Sequence, residues 1–183
     1  MIAASTEPDV AGSLVRSRAG RVQHTVSDGF DDLYRSEYPK LVRIAIAICG
    51  RRDVAEELVQ DAMLKVLTKW PKVRGYENPQ AFCRRVVINE SVGALRRRGR
   101  ESRALQRMPA TAELLLPPDV EEVWSVVRSL PARQMHVVVL FYVDDLATAT
   151  IASILEINDA TVRSTLSQAR AALKTRLEGG HDG

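Results

Sequence analysis

The chain has 183 residues, 27% of them charged and 45% hydrophobic, with a formal net charge of +3. That length allows one domain or two small ones, and so small a charge does not by itself demand a nucleic-acid partner. The three histidines are scattered and the two cysteines lie among apolar neighbours, with no metal-ligand spacing around them. The apolar runs, Ile44 to Cys49 among them, are far too short to span a bilayer.

Distribution says more than net charge. From Arg84 to Arg107 there are eight arginines against Glu90 and Glu101, whereas Asp53 to Asp61 carries four acids and no base. Two oppositely charged surfaces imply separate partners. Cys49 and Cys83 read as small buried hydrophobes. The N-terminus is polar, with Glu7 and Asp9 and no signal-peptide core, so a cytoplasmic, reducing location without membrane insertion is expected.

Residues 1–27 are rich in Ala, Ser, Gly and Arg, lack periodicity and read as a flexible tail. A first helix is expected from Ser27 or Asp28 through Phe30, Leu33, Leu41, Val42, Ala45 and Ile48. Pro39 is expected to kink or split it, and Gly50 to stop it. Asp53 with Glu56 three residues later reads as a capping box opening a second helix, with Val54, Leu58, Ala62, Val66 and Trp70 as its apolar stripe. Residues 71–77, PKVRGYE, read as a loop. Asn78-Pro79 is a strong helix start, because asparagine caps and proline's missing N–H costs nothing in the first turn. That helix is expected to end in the arginine cluster before Gly99.

Residues 100–118 carry Pro109, Pro117 and Pro118 and read as a flexible linker. Asp119 with Glu122 repeats the capping-box pattern ahead of Val123, Trp124, Val127 and Leu130. Pro131 opens a further helix through Val137, Leu140 and Phe141. From Leu146 to Leu173 the pattern is that of two helices joined by a tight turn. Ile151, Ala152 and Leu155 form the first; Asn158 caps the second, whose buried stripe is Val162, Leu166, Ala169 and Leu173. Thr161, Arg163, Ser164, Ser167, Gln168 and Arg170 are left facing outward. A helix-turn-helix uses such a polar, partly basic face to reach base edges and phosphates in the major groove. No strand alternation is convincing, so the expected fold is all-α: two small helical domains, residues 28–99 and 119–178, joined by the linker, with a short tail at 179–183.

The order and spacing of AEELVQDAMLKVLTKW (55–70), AFCRRVVINESVGALRRRGR (81–100), LPARQ (130–134) and ATVRSTLSQARAAL (160–173) resemble the extracytoplasmic-function sigma factors of bacterial RNA polymerase. These proteins consist of little more than sigma-70 regions 2 and 4, and the likeness spans residues 28–178. It implies a non-enzymatic initiation factor, with no cofactor, metal or catalytic residue of its own. Its partners would be the clamp helices and flap of core polymerase, promoter DNA as duplex and as non-template single strand, and an anti-sigma factor.

Carried over residue by residue, the resemblance gives Glu57, Gln60 and Asp61 the clamp-helix contact; their spacing independently puts them on one exposed side, which could otherwise be a merely solvated face. Arg74, Tyr76, Phe82, Arg85, Asn89, Arg96 and Arg97 would hold the minus-ten strand, with Phe82 standing where tryptophan is usual. Flipping a base costs a few kcal/mol of stacking, which aromatic surfaces and edge hydrogen bonds can offset. Arg84 and Arg98 are further phosphate candidates. Arg133, Thr161, Arg163, Ser164, Ser167, Gln168 and Arg170 would read the minus-thirty-five duplex. Departures from the family pattern are Thr150 for glutamate, Met135, Phe141 and Thr165 for arginine, and Gly93 for aspartate; they bear on promoter choice and duplex affinity. Two other readings stay open on sequence: a helix-turn-helix regulator that binds duplex DNA without polymerase, and a divergent sigma-like interaction protein.

Overall fold

The computed structural model describes residues 29–105 and 118–179, and every described element is helical. Helix α1 (Phe30–Cys49) opens behind Gly29, whose φ of 84° needs no Cβ, and carries Asp31 and Asp32 in its first turn, where the helix dipole favours acids. The expected starts at Ser27 and Asp28 lie outside the described residues. Pro39 neither splits nor ends α1; it faces solvent, where a carbonyl lacking its donor can be hydrated. Gly50 stops the helix in the left-handed conformation, its N–H bonding Ile46 O at 2.8 Å.

Helix α2 (Arg52–Thr68) corrects two expectations. Its cap is Arg51 in extended conformation, without a side-chain bond, and Asp53 sits inside the first turn paired with Arg51 rather than capping. The buried stripe is Ala55, Val59, Ala62, Met63 and Val66; Val54 and Leu58 are only half-buried flanks. Ala62, Val66 and Trp70 are buried as expected, whereas in the first turns Ala55 and Val59 take the buried positions. The 71–77 loop is partly wrong too, since Trp70–Val73 forms a short helix, α3, with Pro71 in its permissive first turn.

Helix α4 (Pro79–Leu105) is capped as expected, the Ala81 N–H donating to Asn78 Oδ1 at 2.9 Å. It runs through Gly99, so residues 100–105 continue a helix rather than open a linker. Glycine inside a helix costs only about 1 kcal/mol relative to alanine, which the rest of a long helix can bear. Residues 106–117 lie outside the described residues. Helix α5 (Pro118–Arg128) begins at Pro118, which places Asp119 in the first turn rather than at a cap, and Val123 is exposed, not part of the stripe. Helices α6 (Ala132–Tyr142), α7 (Thr148–Leu155) and α8 (Asp159–Gly179) follow.

Helices α1, α2 and α4 pack together, and α8 packs against α5, α6 and α7. Leu41, Ile44, Ile48, Val59, Ile88, Leu140 and Ile151 are fully buried in one contiguous core that runs through both halves. Each such side chain contributes roughly 1.5–3 kcal/mol by leaving water. The halves meet where α4 touches α7 and α1 touches α5 and α6. The last turn of α1 has no basic residue of its own. Arg128 of α5 supplies the charge, donating from Nε to Ala47 O at 3.1 Å and pairing with Glu121. Gly50 admits this approach, because a Cβ there would lie 3.0 Å from Arg128 Cζ.

Candidate nucleic-acid interface

The turn after α3 and the first half of α4 build an aromatic and cationic face. Tyr76 meets Phe82 edge-on, centroids 5.6 Å apart and planes at 76°, and the Arg85 guanidinium lies 5.7 Å over the Phe82 ring. Spacings of three, four and seven residues place Phe82, Arg85, Asn89 and Arg96 along one side of α4. Asn89, Arg96 and Arg97 are exposed, as is Arg74 in the turn. A Cβ at Gly93 would lie 3.4 Å from Arg97 Nη1, so the absent side chain leaves Arg97 room to lie along the helix. Phe82 is both half-buried against the core and part of this face. Stacking surface beside guanidinium charge suits single-stranded nucleic acid, whose bases offer π-faces and whose backbone offers phosphates.

Arg84 does not join that face. It is buried in an ion-paired triad, with Nη1 2.5 Å from Glu37 Oε2 and Nε donating to Asp144 Oδ2 at 2.5 Å. Glu37 is completed by Lys40 at 2.9 Å. The expectation that Arg84 neutralises phosphate is therefore corrected: its helical position points into the junction with the second half, where two buried carboxylates hold it. Arg85, one residue on, pairs with Glu156 at the end of α7. Sequence reasoning did not find Glu37, Asp144 or Glu156, because nothing local marks an acid as the partner of an arginine some 50 to 70 positions away.

The second helix of the helix-turn-helix is α8. Asn158 caps it as expected, Oδ1 accepting from the Thr161 N–H and the Thr161 hydroxyl, both at 2.7 Å. The hydroxyl of Thr161 is thus spent on the cap, and Ser164 Oγ donates to Thr161 O at 3.1 Å. Arg163, Ser164, Ser167 and Gln168 are exposed along one flank, with Arg163 loosely paired to Asp159 at 3.2 Å. Arg170 is drawn to α6: Nε donates to the Tyr142 hydroxyl at 2.9 Å and the guanidinium lies 5.4 Å over Phe141. Arg133 is exposed near the start of α6. Thr165 and Met135 are buried, at 7% and 2% exposure. Their departures from arginine therefore alter the core rather than a solvent-facing surface.

On the far side of the first half, Glu57, Gln60 and Asp61 are all exposed on α2. Leu64, one turn further, is 60% exposed beside a shallow apolar groove formed with Phe30, Tyr34, Met63 and Leu67. The acidic face thus has an apolar neighbour that sequence reading passed over, because Leu64 fits a helical stripe as well as any core residue.

Burial pushes the Cys83 thiol up to about 12 and the Cys49 thiol up to about 11, so neither is a nucleophile at neutral pH. Among the described residues no group of His, Cys, Asp and Glu could hold a metal ion, and no helix is long and apolar enough to cross a membrane.

Residues 33–101 match Sigma-70 region 2 and residues 120–173 match Sigma-70, region 4. The RNA polymerase sigma-E factor of Streptomyces avermitilis is 26% identical over 152 residues, covering 81% of this chain and 85% of that protein. The ECF RNA polymerase sigma factor SigW of Bacillus subtilis is 21% identical over 182 residues, covering 90% and 97%. Among solved structures, the sigma factor RpoE in complex with the anti-sigma factor NepR from Bartonella quintana superposes with a TM-score of 0.62 at 25% identity, over 83% of this chain and 98% of that one.

Proposed function

The chain belongs to the sigma-70 family, in the extracytoplasmic-function group, and acts as an RNA polymerase sigma factor in transcription initiation; from that premise we propose how its own residues divide the work. Glu57, Gln60 and Asp61 on α2 dock the largest-subunit clamp helices of core polymerase. Tyr76, Phe82, Arg85 and Asn89 capture the non-template strand of the minus-ten element, with Arg74, Arg96 and Arg97 on phosphates. Ser164, Ser167 and Gln168 reach base edges of the minus-thirty-five duplex, with Arg133, Arg163, Thr161 and Arg170 at its backbone, while the flap holds the second half in place. The units are 28–99 for polymerase and minus-ten recognition and 119–178 for upstream recognition, and the chain works in the cytoplasm without catalysing a reaction.

The observation that carries this reading is the single side of α4 that carries Phe82, Arg85, Asn89 and Arg96, with Tyr76 packed against Phe82. A flipped base needs a π-face, and an extruded strand needs cations within reach of its phosphates. The α8 side chains assigned to base edges, Ser164, Ser167 and Gln168, are uncharged, so this helix grips duplex weakly alone and relies on polymerase to hold it there. By its likeness to a sigma factor solved with an anti-sigma factor, an antagonist that covers these surfaces is a fitting further partner. Selection of bound promoters with holoenzyme, followed by run-off transcription, tests the reading. Promoter-specific transcripts are expected; failure to bind core enzyme would overturn it.

A further inference from the structure

Among the described residues Leu64 is the most exposed large hydrophobic, at 60%. It stands at a groove of about 250 Å³ lined also by Phe30, Tyr34, Gln60, Met63 and Leu67. That is below the roughly 300–1,000 Å³ of sites that enclose a small-molecule ligand, so the groove suits aliphatic side chains of a polypeptide. Glu57 and Asp61 lie one turn apart on the same exposed side of α2, and Leu64 follows a turn later. The neighbouring cations are taken elsewhere: Arg51 pairs with Asp53, Arg52 with Glu56 and Lys65 with Glu90. Among the described residues no cation pairs with Glu57 or Asp61. This face therefore fits an occupant that is both aliphatic and cationic.

The chain carries such a segment. Between Asp9 and Asp28 there are three arginines, Arg16, Arg18 and Arg21, and no acid, with Leu14, Val15 and Val22 among them. It joins the fold at Gly29 and Phe30, and Phe30 is itself a wall of the groove. From Gly29 back to Leu14 an extended chain reaches about 50 Å, whereas Glu57 to Leu67 spans about 15 Å of helix, so every point of the face is within reach. We infer that residues 14–22 of this chain dock here, their aliphatic side chains in the Leu64 groove and their arginines over Glu57 and Asp61. Exposed ion pairs hold little by themselves, so burial of the aliphatic groups anchors the segment and the arginines set its placement. A tethered segment meets its site at an effective concentration of about millimolar, so an intrinsic dissociation constant of roughly 0.1 mM keeps the face covered about ten times as often as bare. The consequence rests on the assignment of Glu57, Gln60 and Asp61 to core polymerase: segment and polymerase compete for one face, and apparent affinity for polymerase falls by the fraction left bare.

The test uses the full-length chain. Photoreactive p-benzoylphenylalanine is placed at position 64, and the cross-linked peptide is identified by mass spectrometry. A cross-link to residues 10–27 within the monomer is expected; one to a second copy, or none to this segment, would overturn the docking. Core-polymerase affinity is then compared between the unmodified chain and one carrying Leu14→Ser, Val15→Ser and Val22→Ser, which removes the anchors and leaves every charge in place. The variant is expected to bind core polymerase about tenfold more tightly, and equal or weaker binding would overturn the competition. Glu57→Arg with Gln60→Ala tells the two readings apart. If that variant also binds core polymerase unchanged, the fault lies in the assignment of the face to polymerase, while the cross-link decides the docking independently.

Discussion

Replacing Arg84 by methionine puts the buried triad to a direct stability test. In the folded chain the guanidinium has Glu37 Oε2 and Asp144 Oδ2 each at 2.5 Å, and the three side chains are 10%, 5% and 4% exposed. On the surface such pairs are worth about 0–1 kcal/mol, because water solvates the charges nearly as well. Here water is excluded, and methionine would leave the buried Asp144 carboxylate without its cation and Glu37 with only the half-exposed Lys40. The expected loss is roughly 3–5 kcal/mol, a large share of the 5–15 kcal/mol by which domains are usually stable. Urea denaturation followed by circular dichroism measures it. Adding Glu37→Gln and Asp144→Asn to the methionine variant should recover most of the loss, since uncharged amides no longer need the partner. An Arg84→Met cost below about 1 kcal/mol would show that the triad is hydrated like a surface pair and would sink the argument.

Other outcomes follow from the same contacts. Asn158→Ala removes the acceptor of two bonds at the start of α8 and should cost about 1 kcal/mol, read as a fall in melting temperature of roughly 2–4 °C; no shift would mean the cap is dispensable. Burial, aided by the charge of Arg96, holds the His136 imidazole down to about 4 from 6.5. Its neutral form therefore stabilises the fold fully above pH 6.5, and up to about 3 kcal/mol of that is lost as pH falls from 6.5 towards 4. Relative to His136→Gln the wild-type chain should weaken across that window, and parallel stability curves would contradict the burial argument. Glu57→Arg with Gln60→Ala should weaken core-polymerase binding by about tenfold or more without altering thermal stability, since both residues are exposed; unchanged affinity would remove that face from the interface.

Among the candidate residues, legibility followed exposure. The outward sides of α2 and α8 were readable because Glu57, Gln60 and Asp61, and Arg163, Ser164, Ser167 and Gln168, are all exposed where their spacing put them. The arginines of α4 were not equally readable. Arg84 and Arg85 are adjacent and chemically identical, yet one is sealed between Glu37 and Asp144 while the other lies over Phe82. A helix turns by about 100° per residue, so neighbours in sequence face different surroundings. Which surroundings those are is decided by a second element.

The sequence by itself determined what acts over a few residues: the caps at Asn78 and Asn158, the left-handed stop at Gly50, the apolar spacing that makes every described element but α3 a helix, and the order of the two sigma regions. These depend on backbone hydrogen bonds and side chains within one turn, which the local residues settle alone. Only the tertiary structure decided that Ala55 and Val59 rather than Val54 and Leu58 are buried in α2, the passage of α4 through Gly99, the burial of Arg84 and the meeting of Arg85 with Glu156. Each of these depends on desolvation and packing between segments far apart in the chain, where burial fixes both which side chain turns inward and which charge must find a partner.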